Sequence, residues 1–172
     1  DPVLATAAAI AGGMAAGWVT GVLHTKLKIP GLLSGILSMI ALYSINIRIM
    51  GKANITLLKS DTVFTGISAL GITGQWAVML VGAGLTAAVI LFLYWFFGTE
   101  LGCAIRATGD NEKMARAQGI NTDTMKLLGL MLSNGLVAFS GALIAQNQRY
   151  ADITMGQGAI VIGLASVIIG EV

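Results

Sequence analysis

The chain has 172 residues, of which 56% are hydrophobic and only 10% are charged, and its mean hydropathy is +0.84. A soluble domain carries about 25% charged residues, so this composition excludes a soluble globular enzyme, and it also excludes intrinsic disorder, which needs low hydrophobicity. The net charge of +2 is too small to indicate nucleic acid as a partner. One Cys and one His exclude a disulfide framework and a multi-histidine metal centre. We therefore predict an all-α fold, a polytopic transmembrane helical bundle in a lipid bilayer.

Five stretches of the sequence are candidate membrane spans, since a span needs roughly 20 mostly apolar residues. In chain order they are residues 3–23, 29–47, 75–97, 127–147 and 153–170. The uncharged stretch 62–99 is too long for one span. We interpret its glycine-rich first part, 62–74, as a short interfacial or re-entrant element packed against protein, because irregular backbone cannot face lipid.

The two ends of the chain suggest a piece of a longer protein. The sequence opens on Asp1 and Pro2 without an initiator Met and without the basic start of a signal peptide. It stops at Val172 directly after an apolar run, with no polar tail. We expect residues 1–172 to be one partial transmembrane domain, and the alternative is a complete small membrane protein.

The distribution of Lys and Arg weakly favours one orientation of the spans in the membrane. With alternating sides, the connections 24–28 and 98–126 share one side of the membrane and hold six of the ten Lys and Arg residues. These six are Lys26, Lys28, Arg106, Lys113, Arg116 and Lys126. Since Lys and Arg collect in cytoplasmic connections, we expect segment 98–126 to lie in the cytoplasm.

Small residues recur every four positions in the first span, at Ala9, Gly13, Gly17 and Gly21. Positions four apart share one face of a helix, so this stripe predicts a close contact with a neighbouring helix. Segment 31–35, which begins and ends with Gly, repeats the pattern in the second span.

Three polar side chains inside the spans are candidates for a substrate path: Ser38, Ser133 and Asn134. For Asn134 we favour a hydrogen bond between helices, with the substrate path as the alternative. The serines are weaker candidates because a serine can bond to its own helix backbone. No carboxylate lies at depth in the spans, which argues against a proton-coupled pump and suits a neutral or zwitterionic solute.

Segment 98–126 is polar and predicts a short helix over residues 111–118. Gly109 is expected to break the structure that precedes it. Asp110 or Asn111 then offers the N-cap of the short helix.

The remaining residues of this helix fit the same prediction. Glu112 and Arg116 are spaced for an ion pair between residues four apart, and Gly119 supplies a C-cap. Met114 and Ala115 give the helix an apolar component that two turns cannot bury by themselves. We expect a partner protein to cover it, and the alternative is an amphipathic linker on the membrane surface.

These positions also carry a resemblance to a known family. They read Leu101-Gly102, Arg106-Ala107-x-Gly109-x-Asn111, Ala115 and Gly119-Ile120-Asn121. The run resembles the cytoplasmic coupling loop of an ABC importer permease family that includes permeases for branched-chain amino acids, ribose and related sugars, and nucleosides. Segments 28–30, 132–143 and 165–170 resemble the spans around that loop. The family often has Pro after the Asn, where this chain has Glu112.

The resemblance implies a mechanism and a set of partners. Two permease subunits, expected to be a homodimer, form the pathway in the bacterial inner membrane. Two cytoplasmic ABC ATPase subunits lie beneath it, and an extracytoplasmic substrate-binding protein delivers the solute. The residues implied to couple to the ATPase are Arg106, Ala107, Gly109, Asp110, Asn111, Glu112, Met114, Ala115, Gly119 and Ile120.

We expect a partner protein to bind and hydrolyse ATP. The sequence has no Gly-x-x-x-x-Gly-Lys-Ser/Thr phosphate loop. We therefore expect ATP and Mg²⁺ on the ATPase, and neither a catalytic residue nor a bound cofactor or metal on this chain.

The expected function is thus the permease subunit of an ATP-driven importer for a small solute, an amino acid rather than a sugar or nucleoside. A secondary transporter or channel is the first alternative, although the intramembrane charges or paired broken helices typical of transporters are not evident in the sequence. A membrane scaffold protein, for which the small-residue stripes would suffice, is the second.

Overall fold

A computed structural model describes residues 1–57, residue 62 and residues 75–170 of the chain. Its elements are α1 (Pro2–Thr25), α2 (Gly31–Met50), β1 (Asn54–Thr56), α3 (Gln75–Phe97), α4 (Glu100–Asp110), α5 (Glu112–Ala117), α6 (Thr122–Gln148), β2 (Tyr150–Asp152) and α7 (Gln157–Gly170). The element predicted over 62–74 lies, apart from residue 62, outside the described residues.

Four helices in the described part of the chain are long and apolar enough to cross a membrane: α1, α2, the Val78–Phe97 part of α3, and α6. They coincide with four of the five predicted spans. The fifth, predicted over 153–170, is helical only from Gln157 and has 14 residues. Its start is later than predicted because the Asp152 carboxylate accepts hydrogen bonds from the backbone N–H and the hydroxyl of Thr154, which holds the chain in a turn.

The closest helix contact joins α1 to α6, which run antiparallel, and the small-residue stripe of α1 lies in it. A Cβ added to Gly17 would stand 2.5 Å from the carbonyl oxygen of Leu130 and 2.8 Å from the Cα of Met131. The backbones are therefore too close for any larger residue. The predicted role of this stripe is confirmed.

Helix α2 packs against α1 less closely. The Thr20 hydroxyl of α1 donates a buried hydrogen bond of 2.8 Å to the Ser38 hydroxyl of α2. A Cβ placed on Gly31 would be 3.8 Å from the His24 ring and one on Gly35 would have no neighbour within 4 Å, so the two glycines of segment 31–35 make no tight helix contact within the described chain, contrary to the prediction. They line an open cavity instead.

The two strands form a small ribbon that the sequence did not reveal. Strands β1 and β2 pair antiparallel, with Ile55 opposite Ala151. The ribbon ties the end of α2 to the end of α6, and the N–H of Leu57 extends it by donating to the carbonyl of Arg149. Arg149 itself adopts a left-handed conformation, with φ of 58°, as the C-cap of α6.

The helices thus have two ends of different character. Residues 24–31 and 98–126 form what we call the helix pole: Gly21 contacts Leu127, and both segments border one cavity. Residues 51–57 and 149–156 form the strand pole at the other ends of α2 and α6. The 24–28 and 98–126 connections thus lie at the same end of the helices, in agreement with the prediction that they share one side of the membrane.

Candidate functional site: a braced surface helix and a cavity

The short helix α5 begins at a sharp break after α4. Helix α4 continues through Gly109 to Asp110, and the chain leaves the helix at Asn111, with φ of −148° and ψ of 96°. The Asn111 side chain then accepts a hydrogen bond of 3.0 Å from the N–H of Met114. The predicted break at Gly109 is wrong, because helical geometry suits this glycine and the extended, capping residue is Asn111.

The end of α5 is fixed by Gly119. This glycine has φ of 85°, a left-handed conformation that costs other residues free energy. Its N–H donates to the carbonyl of Arg116, and the next N–H, of Ile120, donates 3.1 Å to that of Ala115. The helix over Glu112–Ala117, its C-cap Gln118 and the left-handed Gly119 that follows confirm the prediction for residues 111–118.

Ion pairs brace α5 against the first turn of α6. The Glu112 carboxylate pairs with Arg116 at 3.1 Å, as predicted, and with Lys126 at 2.7 Å. Arg116 in turn pairs with Asp123 at 2.9 Å and donates a 2.7 Å hydrogen bond from Nε to the Thr122 hydroxyl. The hydrogen bond from Lys126 is the main reason why the pKa of Glu112 lies below its ordinary value.

Burial gives α5 an inner and an outer face. Ala115 is 2% exposed and Thr122, at the start of α6, is 1% exposed. Met114 points the other way and is 58% exposed. A large apolar side chain on a braced surface helix is suited to contact with another molecule.

A cavity of about 1210 Å³ lies between α1, α2 and α6. Ser38 and Asn134 line it, whereas Ser133 is exposed on α6 and is not among the residues that line this cavity. The Asn134 amide donates 2.9 Å to the carbonyl of Leu130 in its own helix, so the favoured bond between helices is not formed within the described chain.

The two ends of this cavity are lined by different polar side chains. His24 and Lys126 line it at the helix pole, and Asn46 lines it toward the strand pole. The His24 ring donates from Nδ1 to the carbonyl of Ile29 at 2.9 Å. In the described ranges 1–57, 62 and 75–170, no three His, Cys, Asp or Glu side chains are grouped as metal ligands would be.

Comparison with known proteins identifies the family of this chain. A family model described as the permease component of branched-chain amino acid transport systems matches residues 2–172. The chain belongs to this permease family. It is a membrane protein, and the family is one of permeases and not of enzymes.

Curated relatives of the permease chain extend the comparison. The tyrosine transport system permease protein of Clostridioides difficile (strain R20291) is 48% identical over 170 residues, which is 99% of this chain and 55% of that protein. An uncharacterised protein of Rickettsia prowazekii (strain Madrid E) is 35% identical over 95% of this chain and 56% of its own length. The autoinducer 2 import system permease protein LsrC of Yersinia pestis (strain Pestoides F) is 27% identical over 93% of this chain and 44% of its own length.

The permease chain therefore spans about half the length of the curated relatives it matches. No solved structure matches it.

The structure of the permease chain gathers all the loop residues singled out from the sequence at the helix pole. Glu112 and Ile120 are half-buried and Ala115 is buried. The exposed ones are Arg106, Ala107, Gly109, Asp110, Asn111, Met114 and Gly119. The sequence missed Thr122, Asp123 and Lys126 as partners of α5, since they act across the turn that Gly119 begins.

Proposed function

We propose that the chain is part of the membrane-spanning permease subunit of an ATP-driven importer for a small solute, and that the solute is an amino acid. The observation that carries this proposal is the ion-paired attachment of α5 to α6. An exposed helix at the membrane surface is thereby tied by ion pairs to a helix that lines the cavity.

This attachment supports a route for mechanical coupling. A force on α5 reaches α6 through the Glu112–Lys126 and Arg116–Asp123 pairs. Asn134 follows Lys126 by eight residues on the same helix, about 12 Å along its axis. A displacement of α5 therefore moves side chains that line the cavity, as alternating access requires.

The proposed partners follow from where the exposed surface lies. Met114 and the exposed residues of α4 and α5 form a docking surface for a cytoplasmic ABC ATPase, which supplies ATP and Mg²⁺. A second copy of the permease completes the pathway, and an extracytoplasmic binding protein delivers the solute. The assembly lies in the bacterial inner membrane.

Two observations support an amino acid as the solute. A relative that is 48% identical over 99% of this chain is named as a tyrosine transport permease. The cavity is mainly apolar with a few hydroxyl and amide groups, including Ser38 and Asn134, which suits a zwitterion with an apolar side chain.

The test is uptake of radiolabelled L-tyrosine into vesicles that contain the full-length permease, its ATPase and its binding protein. We expect uptake to require ATP and to fall to background in the variant Glu112→Arg, which reverses the charge that braces α5. The variant Lys26→Met, which removes an exposed charge at the same pole, should transport normally.

Other results would favour other functions. Uptake that follows an ion gradient and ignores ATP would indicate a secondary transporter or channel. The absence of solute flux under every condition would indicate a scaffold protein. Competition by ribose or uridine, without competition by amino acids, would move the solute to sugars or nucleosides.

A further inference from the structure

Lys126 both lines the cavity and forms an ion pair with the surface helix α5. Its ammonium pairs with Glu112 of α5 at 2.7 Å, and its side chain lines the cavity between α1, α2 and α6. Glu112 is not among the residues that line this cavity. Lys126 is thus the direct side-chain link between the interior of the cavity and the surface helix.

The charge of Lys126 stands out within the cavity. Among the described residues, it is the one permanently charged side chain that lines the cavity, and no described acidic side chain lines it. A cation that lines a mainly apolar cavity is a hydrogen-bonding partner for an anionic group that enters it.

We propose that Lys126 exchanges carboxylate partners, leaving Glu112 for the carboxylate of a solute that reaches the helix-pole end of the cavity. The solute carboxylate thereby loosens α5 from α6. This inference rests on the proposed import of amino acids and deepens it, because it names the group of the solute that is recognised and the residue that recognises it.

The pair is suited to exchange. The side chains of Lys126 and Glu112 are 30% and 38% exposed, and ion pairs that water reaches contribute little net stability. When Lys126 leaves, Glu112 keeps its contacts with Arg116 and with the Thr122 hydroxyl, so neither charge is left without a partner. By reciprocity, whatever pulls α5 away from Lys126 strengthens binding of the solute.

The inference also sorts solutes by chemistry. An amino acid carries the carboxylate that competes with Glu112. A sugar or a nucleoside lacks one, so it would occupy the cavity without loosening α5.

The experiment measures equilibrium binding of solutes to the full-length permease with its ATPase in phosphatidylcholine nanodiscs. The binding protein is left out, so that any preference between solutes comes from the permease. The probes are L-tyrosine and L-leucine, each compared with its decarboxylated amine, tyramine or isoamylamine. The variants are Lys126→Met, Glu112→Gln and the exchange Glu112→Lys with Lys126→Glu. Lys26→Met is the matched control.

We expect the affinity for amino acids to change in opposite directions when Lys126 and Glu112 are replaced. Lys126→Met should weaken amino-acid binding about tenfold, the effect of losing one charge-assisted hydrogen bond, and abolish the preference over the amine. Glu112→Gln should tighten amino-acid binding, because it frees Lys126. The exchange variant restores the ion pair but places a carboxylate at the cavity, so amino-acid binding should stay weak.

Several results would overturn the inference. A merely structural pair predicts similar losses in both single variants and recovery in the exchange variant. Failure of the parent protein to bind either amino acid also rejects it, whereas co-purification of the ATPase with the same sample decides separately whether the protein is an importer. Loss of the amino-acid preference when phosphatidylglycerol is added, with no effect of Lys126→Met, would assign the site to lipid phosphate.

Discussion

At the scale of single residues, Glu112 joins α5 to the start of α6. Its two carboxylate oxygens contact three side chains, those of Arg116, Thr122 and Lys126, on two helices. The hydrogen bond from Lys126 lowers the pKa of Glu112 most, and the charges of Lys126 and Arg116 add to the effect. The ion pairs of Glu112 thus favour its ionised form.

The lowered pKa of Glu112 predicts a pH dependence for α5. A carboxylate whose pKa is lower in the folded state stabilises the fold above its unfolded-state value, and this contribution is lost as pH falls through the folded-state pKa. We expect protection of the 114–117 amides, measured by hydrogen exchange and corrected for intrinsic rates, to be constant from neutral pH down to 4.5, the ordinary pKa, and to fall below it.

The variant Glu112→Gln is the control for this prediction. Its protection should be lower than that of the parent at neutral pH and should change less over the same acid range. A parent whose α5 protection already declines between neutral pH and 4.5 would contradict the assignment of the brace to Glu112.

Residue-level predictions succeeded where the cause is local. The Asn111 cap and the Gly119 terminus depend on backbone groups within three or four residues, so the sequence contains the information. The pair of Glu112 with Lys126 spans 14 positions and exists only because the chain turns between α5 and α6. Gly109 failed as a breaker since a glycine weakens a helix without having to end it.

At the scale of elements, the contact between α1 and α6 organises the described chain. A Cβ on Gly17 would meet backbone atoms of α6, which cannot rotate away as a side chain can. Around Gly12, one position outside the stripe, no atom lies within 4 Å. These two glycines of one helix therefore form a matched pair.

We expect Gly17→Ala to destabilise the full-length protein by about 1–3 kcal/mol, the usual cost of overpacking a close contact. Gly12→Ala should leave stability unchanged or raise it slightly, because Ala favours helix more than Gly does. Thermal unfolding in detergent measures both. Equal stability of the two variants would show that α1 and α6 are not in contact as described.

A helix or strand was predictable from the sequence where its residue pattern extends over many positions. Four spans and the small-residue face of α1 followed from runs of about 20 residues, but the partner of that face, α6, did not. Strands β1 and β2 have three residues each, too few for an alternating pattern. Their pairing depends on the ends of α2 and α6 coming together.

At the scale of the whole molecule, we expect the two poles to lie on opposite sides of the membrane, because α6 runs between them and is long and apolar enough to cross it. Cys103, the single cysteine of the sequence, is exposed in α4 at the helix pole. Met155 is exposed at the strand pole. We expect a membrane-impermeant maleimide to label Cys103 only from the cytoplasmic side.

The variant Cys103→Ser with Met155→Cys completes that prediction. It should be labelled only from the outer side, since α6 crosses the membrane between the two positions. Labelling of both cysteines from the same side would contradict the arrangement of the poles, and reversed sides would place α5 outside the cell.

The cavity could be predicted only in part. Ser38 and Asn134 were candidates because polar side chains are rare in membrane spans, and both line the cavity. The same reasoning selected Ser133, which does not, because adjacent residues of a helix point in different directions. His24 and Lys126 were placed in connections by their charge, and their position at the cavity requires the packing of three helices.

The central claim, that α5 docks an ATPase, is tested most directly by co-purification of the full-length permease with its candidate ATPase. Met114→Asp alters only the outer face of α5, and Glu112→Arg breaks its brace. Met155→Asp, at the strand pole, is the matched control. We expect the ATPase to accompany the parent and the control and to be lost from both α5 variants, while all four proteins insert in the membrane. Retention of the ATPase by Met114→Asp and Glu112→Arg, or its absence from the parent, would contradict the claim.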